Sequence, residues 1–206
     1  MQTAAKRRMT IQEYLEVERV AQAKSEFLEG EAFAMAGGSR KHSRIAVNLA
    51  GFLNRRLAGT PCQVFNSDMR LQIEATGLCT YPDVRVACGK LRFADAREDT
   101  LLNPRIIIEV LSDSTAAWDR GKKFWHCRHL ASLAEYVLVS QDGWMVEHYL
   151  RESNGSWRLR TEDGAKGALA LNSIKVRVPL TEIYANTGLN PGVLPPDPAV
   201  PARRKQ

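Results

Sequence analysis

The chain has 206 residues, 44% of them hydrophobic and 25% charged, with a formal net charge of +6. Those values suit one globular domain with a substantial core and exclude a wholly disordered chain. No apolar run approaches the ~18 residues that a membrane span needs. The charge excess lies mostly at the ends, in Lys6, Arg7, Arg8, Arg203, Arg204 and Lys205, which marks basic tails rather than a basic domain.

No apolar h-region follows the N-terminal residues, so no secretory signal is expected. Cys62, Cys79, Cys88 and Cys127 form no C-x-x-C pair, which points to a cytoplasmic chain with reduced thiols. Residues 1–8 read as a basic arm. Residues 191–206 carry Pro191, Pro195, Pro196, Pro198 and Pro201 and read as a Pro-rich basic tail. Both ends are expected to add little to stability, leaving a single domain over 9–190.

Thr10 with Glu13 forms a capping box, and Ile11, Tyr14, Leu15 and Val17 supply the apolar face of a first helix. A hairpin is expected over 26–28 and 31–35, around Glu29-Gly30. Ser39 can cap a long second helix with Ile45, Leu49, Phe52, Leu53 and Leu57 at helical spacing, closed by Gly59 and Pro61. Strand-like runs follow at 62–65, 68–73, 83–87 and 105–111. A helix over 118–130 precedes strands at 135–139, 145–150 and 157–161. A strand pair within 168–178 and a helical turn at 180–184 complete a mixed α/β sheet flanked by helices.

Phosphate-loop, dinucleotide-binding, nucleophile-elbow and H-E-x-x-H motifs are all absent. His126 and His129 lack a third ligand for zinc. The informative run is Pro104-Arg-Ile-Ile-Ile-Glu109-Val-Leu-Ser112, a strand covered on both faces that carries one carboxylate. A carboxylate there is costly unless it is paired, protonated or metal-bound. A buried Glu answering one Arg or Lys would also satisfy the run. Asp83 opens another strand directly after Pro82, where a turn-forming Asp is the simpler explanation in isolation. Together the two carboxylates would repel by about 4 kcal/mol at ~4 Å and an effective dielectric of 20, so a divalent cation or a lysine must stand between them. All-oxygen ligation suits Mg²⁺ or Mn²⁺. Asp119-Arg-Gly-Lys122-Lys123 offers the cation, unless Asp119 and Lys123 form only a surface pair.

Further residues fall into order around these: Glu26-Phe-Leu-Glu-Gly-Glu-Ala, Ala36-Gly-Gly-Ser-Arg-Lys-His42, Ser67-Asp68-Met-Arg, Tyr81-Pro-Asp83, Ile108-Glu109-Val-Leu-Ser-Asp-Ser-Thr115, Asp119-Arg-Gly-Lys-Lys123 and Glu135-Tyr-Val-Leu-Val. This series resembles the Uma-two family of restriction endonucleases, a branch of the PD-(D/E)XK nuclease superfamily, over about 9–189. The resemblance implies a restriction-endonuclease-like core, metal-dependent hydrolysis of phosphodiester bonds, DNA as partner and a homodimer. Asp83 matches the motif aspartate and Glu109 the second carboxylate. These two, with the Val110 carbonyl, would hold Mg²⁺ or Mn²⁺. The superfamily's lysine normally follows that Glu by two residues, where this chain has Leu111. The family pattern places it instead at Lys123, rather than Lys122. Glu26 matches an acidic position that adds a further carboxylate, and His42 and Asp68 match family positions. Cys127 departs from the family's Tyr. The alternatives are a catalytically silent DNA-binding or scaffold protein on the same fold, and a hydrolase of small phosphoesters.

Overall fold

Strand β8 (Ile106–Leu111) is buried along its whole length, and the layers are arranged to cover it. The computed structural model of the chain describes residues 8–196. Strands β3 (Cys62–Asn66), β6 (Val84–Cys88), β8, β9 (Glu135–Ser140), β10 (Met145–Arg151) and β11 (Trp157–Asp163) form one sheet in the order β11-β10-β9-β8-β6-β3. Only the β8–β9 pair is parallel. Its crossover contains α3 (Ala116–Trp118), a π-helical turn (Asp119–Lys123) and α4 (Phe124–Cys127) without a break.

Alternation along β8 divides the core in two. Ile106, Ile108 and Val110 pack with Ile45, Leu49 and Leu53 of α2 (Arg40–Leu57). The same layer takes in the hairpin β12–β13 (Ala168–Leu171, Val176–Pro179) and α5 (Leu180–Ile183). Ile107 and Leu111 face the other way, onto Cys127, Leu130, Tyr136 and Leu138. That layer also receives Leu71, Ile73 and Leu78 from the second sheet, ordered β2-β1-β5-β4-β7. Its strands are β1 (Ser25–Leu28), β2 (Glu31–Ala34), β4 (Arg70–Ile73), β5 (Leu78–Thr80) and β7 (Thr100–Leu101). Burying each β8 isoleucine contributes roughly 1.5–3 kcal/mol, which explains why this run is continuous rather than alternating.

The caps form as the sequence implies. Thr10 and Glu13 make the reciprocal box of α1 (Ile11–Val20), and the Ser39 hydroxyl accepts His42 N at 3.1 Å. Four expectations need correction. Val17 is 56% exposed, and Glu18 is buried in its place because it accepts from Ser25 N, Ser25 Oγ and Tyr81 Oη. Strands β5 and β7 went unread because runs of three and two residues are too short to show a period. The helix expected over 118–130 begins earlier, at Ala116, and ends at Cys127, where Leu130 N turns back to the Cys127 carbonyl. Finally, Cys62 and Cys88 stand opposite each other in the β3–β6 register and form a disulfide, while Cys79 and Cys127 are free and buried. Reduced thiols were therefore the wrong expectation for one pair, whose partnership depends on strand register rather than on sequence spacing.

Within the Pro-rich end, the Val193 carbonyl accepts from Trp144 N, and a side chain at Gly143 would run into Pro195. Residues 1–7 and 197–206, which include most of both basic ends, lie outside the described residues. Among those described, no helix is long and apolar enough to cross a membrane.

Glu135, at the start of β9, is fully buried, with His148 Nε2 2.6 Å from its Oε2 and Ser173 N donating to its Oε1 at 2.7 Å. Burial alone would raise its pKa, but these partners outweigh burial and hold it below the ordinary value of 4.5. A carboxylate with a depressed folded pKa contributes stability above its unfolded pKa and loses it as pH falls through the folded value. Glu135→Gln should therefore cost about 3 kcal/mol at neutral pH. The gap from the parent chain should narrow below about pH 4.5. Melting curves across that range check this, and a gap independent of pH would refute the assignment.

Candidate active site

β6 and β8 pair from Val84↔Ile108 to Val86↔Ile106, and continuing the register would set Pro82 opposite Val110. The ladder stops there, since Pro has no N–H to donate. The side chain of Asp83 takes over, its Oδ2 accepting Val110 N at 2.7 Å. Asp83 N in turn lies 3.4 Å from Glu109 Oε2. The end of the ladder thus brings the two carboxylates foreseen in the sequence to one corner.

Glu109 faces the crossover helix and meets Lys123 Nζ at 2.9 Å from its Oε1. The same ammonium lies 3.2 Å from Glu26 Oε1 on β1 and 3.5 Å from Asp119 Oδ1. Lys123, Glu109 and Asp119 are 4%, 3% and 3% exposed. The 119–123 pair is therefore buried and not a surface pair. The π-turn widens the helix at this point, as such turns commonly do at functional sites. The buried Tyr136 hydroxyl pins it by donating to the Asp119 carbonyl at 2.9 Å. Lys122 stays exposed beside Trp125, as expected for the lysine that does not enter the cluster. Glu26 is held by the Thr80 hydroxyl.

Burial pushes Glu109 up, to about 8, against the pull of Lys123, and it raises Asp119 as well. Burial opposes the Lys123 ammonium, but Glu109, Glu26 and Asp119 together outweigh it and hold its pKa well above the ordinary lysine value. One ammonium faces three carboxylates, so Lys123 keeps its charge and Glu109 gives up its proton less readily than an exposed Glu. His42 stands 3.2 Å from Asp83 Oδ2. Burial lowers its pKa, but Asp83 and the Val110 backbone raise it more. Gly38 is required beside it, because a Cβ there would sit 2.7 Å from His42 Nδ1.

Among the described residues, no three His, Cys, Asp or Glu side chains form a cluster suited to a metal ion. Glu26, Glu109 and Asp119 converge on an ammonium instead. A magnesium-type site asks for less, since Mg²⁺ commonly takes one or two carboxylates and keeps several waters. Asp83, Glu109 and the Val110 carbonyl are all-oxygen donors at one corner. Glu109 Oε1 is moreover a buried oxygen without a hydrogen bond, despite its ion pair. The donor chemistry fits a hard divalent cation. His126 and His129 do not converge: both rings lie against Trp125, and His129 Nδ1 contacts its carbonyl. Asp68 is exposed and pairs with Lys24 at 2.6 Å, outside the cluster.

The corner opens into a cavity of about 560 Å³ lined also by Phe33, Gly38, Ser112, Trp118 and Gln141. A second cavity of about 590 Å³ shares Met35–Gly38, His42 and Asp83 with it. Three supporting residues have no role assigned from the sequence. Tyr81 is fixed by Arg70 and Glu18. Arg85 is fully buried and donates to the Asn66 and Met69 carbonyls, while burial lowers its pKa to about 10. Gln141 follows β9, and its place just beyond the end of a parallel strand was the available signal.

Residues 11–177 match the family Uma2, described as "Putative restriction endonuclease". Two proteins of Synechocystis sp. (strain ATCC 27184 / PCC 6803 / Kazusa) are each 35% identical. "Uncharacterized protein sll1609" aligns over 85% of this chain and 99% of its own length, and "Uncharacterized protein slr1290" over 86% and 92%. A solved structure, titled as that of a putative nuclease belonging to DUF820 from Anabaena variabilis ATCC 29413, superposes with a TM-score of 0.69. It is 18% identical, and the match covers 85% of this chain and 97% of that one. That likeness gives this chain a restriction-endonuclease-like nuclease fold.

Removing the ammonium leaves two buried carboxylates, Glu109 and Asp119, and the partly buried Glu26 without their counter-ion. Lys123→Met should therefore destabilise the metal-free protein by about 3–5 kcal/mol. Lys122→Met, at an exposed position, should change stability by no more than about 0.5 kcal/mol. Urea unfolding of both variants measures the difference, and equal effects would contradict the burial of Lys123.

Proposed function

The chain belongs to the Uma2 family, and from that premise we propose that it is a metal-dependent endonuclease hydrolysing the phosphodiester bonds of DNA. The observation that carries this reading is the corner where the β6–β8 ladder ends. There the Asp83 carboxylate accepts Val110 N while Asp83 N lies 3.4 Å from Glu109 Oε2, with a buried lysine beside them. In this reading Asp83, Glu109 and the Val110 carbonyl hold Mg²⁺ or Mn²⁺. When bound, such an ion neutralises charge on a phosphate oxygen and makes a coordinated water more acidic.

The protein's own groups do the rest. Lys123, kept charged by its three carboxylate neighbours, orients the attacking water or donates to the charge that develops on phosphorus-bound oxygen. Glu26 braces that ammonium from β1 and would add a further carboxylate near a bound ion. His42 fixes the rotamer of Asp83. With DNA as substrate the cytoplasm is the working compartment, and a homodimer would present one such corner to each strand. Cys62–Cys88 joins the far end of β6 from Asp83, so the chemistry does not depend on it.

The test is cleavage of plasmid DNA with Mg²⁺ or Mn²⁺ against EDTA, alongside a small phosphodiester. Cleavage should require the metal, and Asp83→Asn or Glu109→Gln should abolish it in protein that melts normally. Lys123→Ala should lower the rate by about 10²–10³, read at a temperature where its fold persists. Lys122→Ala should mainly weaken substrate binding, most at low salt, and flatten its salt dependence. Turnover of the small ester alone would favour a phosphoesterase. Metal-independent binding without cleavage would favour a silent DNA-binding protein.

A further inference from the structure

The Ser39 hydroxyl has two partners. Its oxygen accepts His42 N as the cap of α2, and it lies 2.5 Å from Gln141 Oε1. A hydroxyl carries one hydrogen, and here that hydrogen goes to Gln141. In this arrangement the amide turns its oxygen to Ser39 and its NH₂ away. Gln141 is 9% exposed and lines the same cavity as Asp83 and Glu109. Among the described residues its only side-chain hydrogen bond is the one from Ser39, so the NH₂ stays open to a ligand on the cavity side.

A second observation concerns the charge at this corner. α2 is 18 residues long, has no acidic residue in its first turn, and begins Arg40-Lys41-His42-Ser43-Arg44. Cations at the positive end of a helix are unfavourable, whereas an anion there is stabilised by the dipole and the unpaired N–H groups. Asp113 also lines the cavity, but the Ser39 hydrogen is already given to Gln141, and the free polar group that Gln141 turns to this side is its NH₂ donor. A ligand on this side must accept.

We propose that Gln141 is a substrate-contacting residue of this site, its amide donating to the oxygen of a phosphate adjacent to the scissile one, seated at the start of α2. This rests on the nuclease reading above and adds to it a residue that sets strand position. Ser39 is the matching positioning residue, acting through the amide it orients.

The experiment measures binding of a short fluorescein-labelled DNA duplex by anisotropy, with Ca²⁺ replacing Mg²⁺, followed by steady-state cleavage with Mg²⁺. Gln141→Ala should weaken binding about tenfold, the effect of one hydrogen bond to a charged group. Gln141→Glu should weaken it further, because a carboxylate would meet the phosphate. KM should rise with kcat little changed, and melting temperatures should match the parent chain. If Gln141→Glu fails to fold, Gln141→Ala decides. Folded variants that bind as the parent does, while the parent cleaves, overturn the assignment of Gln141 alone. A parent chain that neither binds nor cleaves the duplex overturns the nuclease reading with it.

Discussion

The Lys123 ammonium is the charge around which the molecule's layers are assembled. Glu26 comes from the second sheet, Glu109 from the central strand of the first, and Asp119 from the crossover helix. Each carboxylate costs several kcal/mol to remove from water, which good geometry and a partner must offset. Neither Glu109 nor Asp119 could be buried here beside the other carboxylates alone. The π-turn places the lysine so that one group answers all three, and Tyr136, packed in the core, holds that turn in place.

Around this centre, polar contacts link elements distant in the chain. Glu18 on α1 receives Ser25 and Tyr81, Arg70 donates to Tyr81, and Arg19 reaches Asp95 and Asp99. These contacts hold the segment leading into Pro82 and Asp83. On the other side of the cavity, Ser39, His42 and Gln141 form a chain that runs from the cap of α2 to the end of β9. A closed network of this kind makes the position of each member depend on the rest.

The legible parts of this fold are those where one local pattern dominates. The β8 run could only be a doubly covered strand, and its single carboxylate announced itself by being out of place. Thr10 with Glu13 and Ser39 with its helix were equally plain, because a cap is a local interaction. Val17 and Glu18 were exchanged because the burial of Glu18 depends on Ser25 and Tyr81, and Tyr81 lies far along the chain. Cys62 and Cys88 pair through strand register, which no spacing rule encodes. The ordered motifs of the family singled out Lys123 over Lys122, whereas helical periodicity alone could not foresee a π-turn. Gln141 has no motif at all. Only the direction of one hydroxyl hydrogen gives it meaning.

The carboxylates and cations of the corner come from residue 26 through residue 123, on strands and helices whose contacts are mostly remote in sequence. A fold built on such contacts must close long loops before they are rewarded, and it forms more slowly than a helical bundle of similar stability. Lys123 also follows Glu26, Asp83, Glu109 and Asp119 in the chain. During synthesis, then, Glu26, Glu109 and Asp119 emerge before their common counter-ion. A nascent chain holds only an open set of mutually repelling carboxylates, and the centre closes in a single late step, when the crossover helix docks.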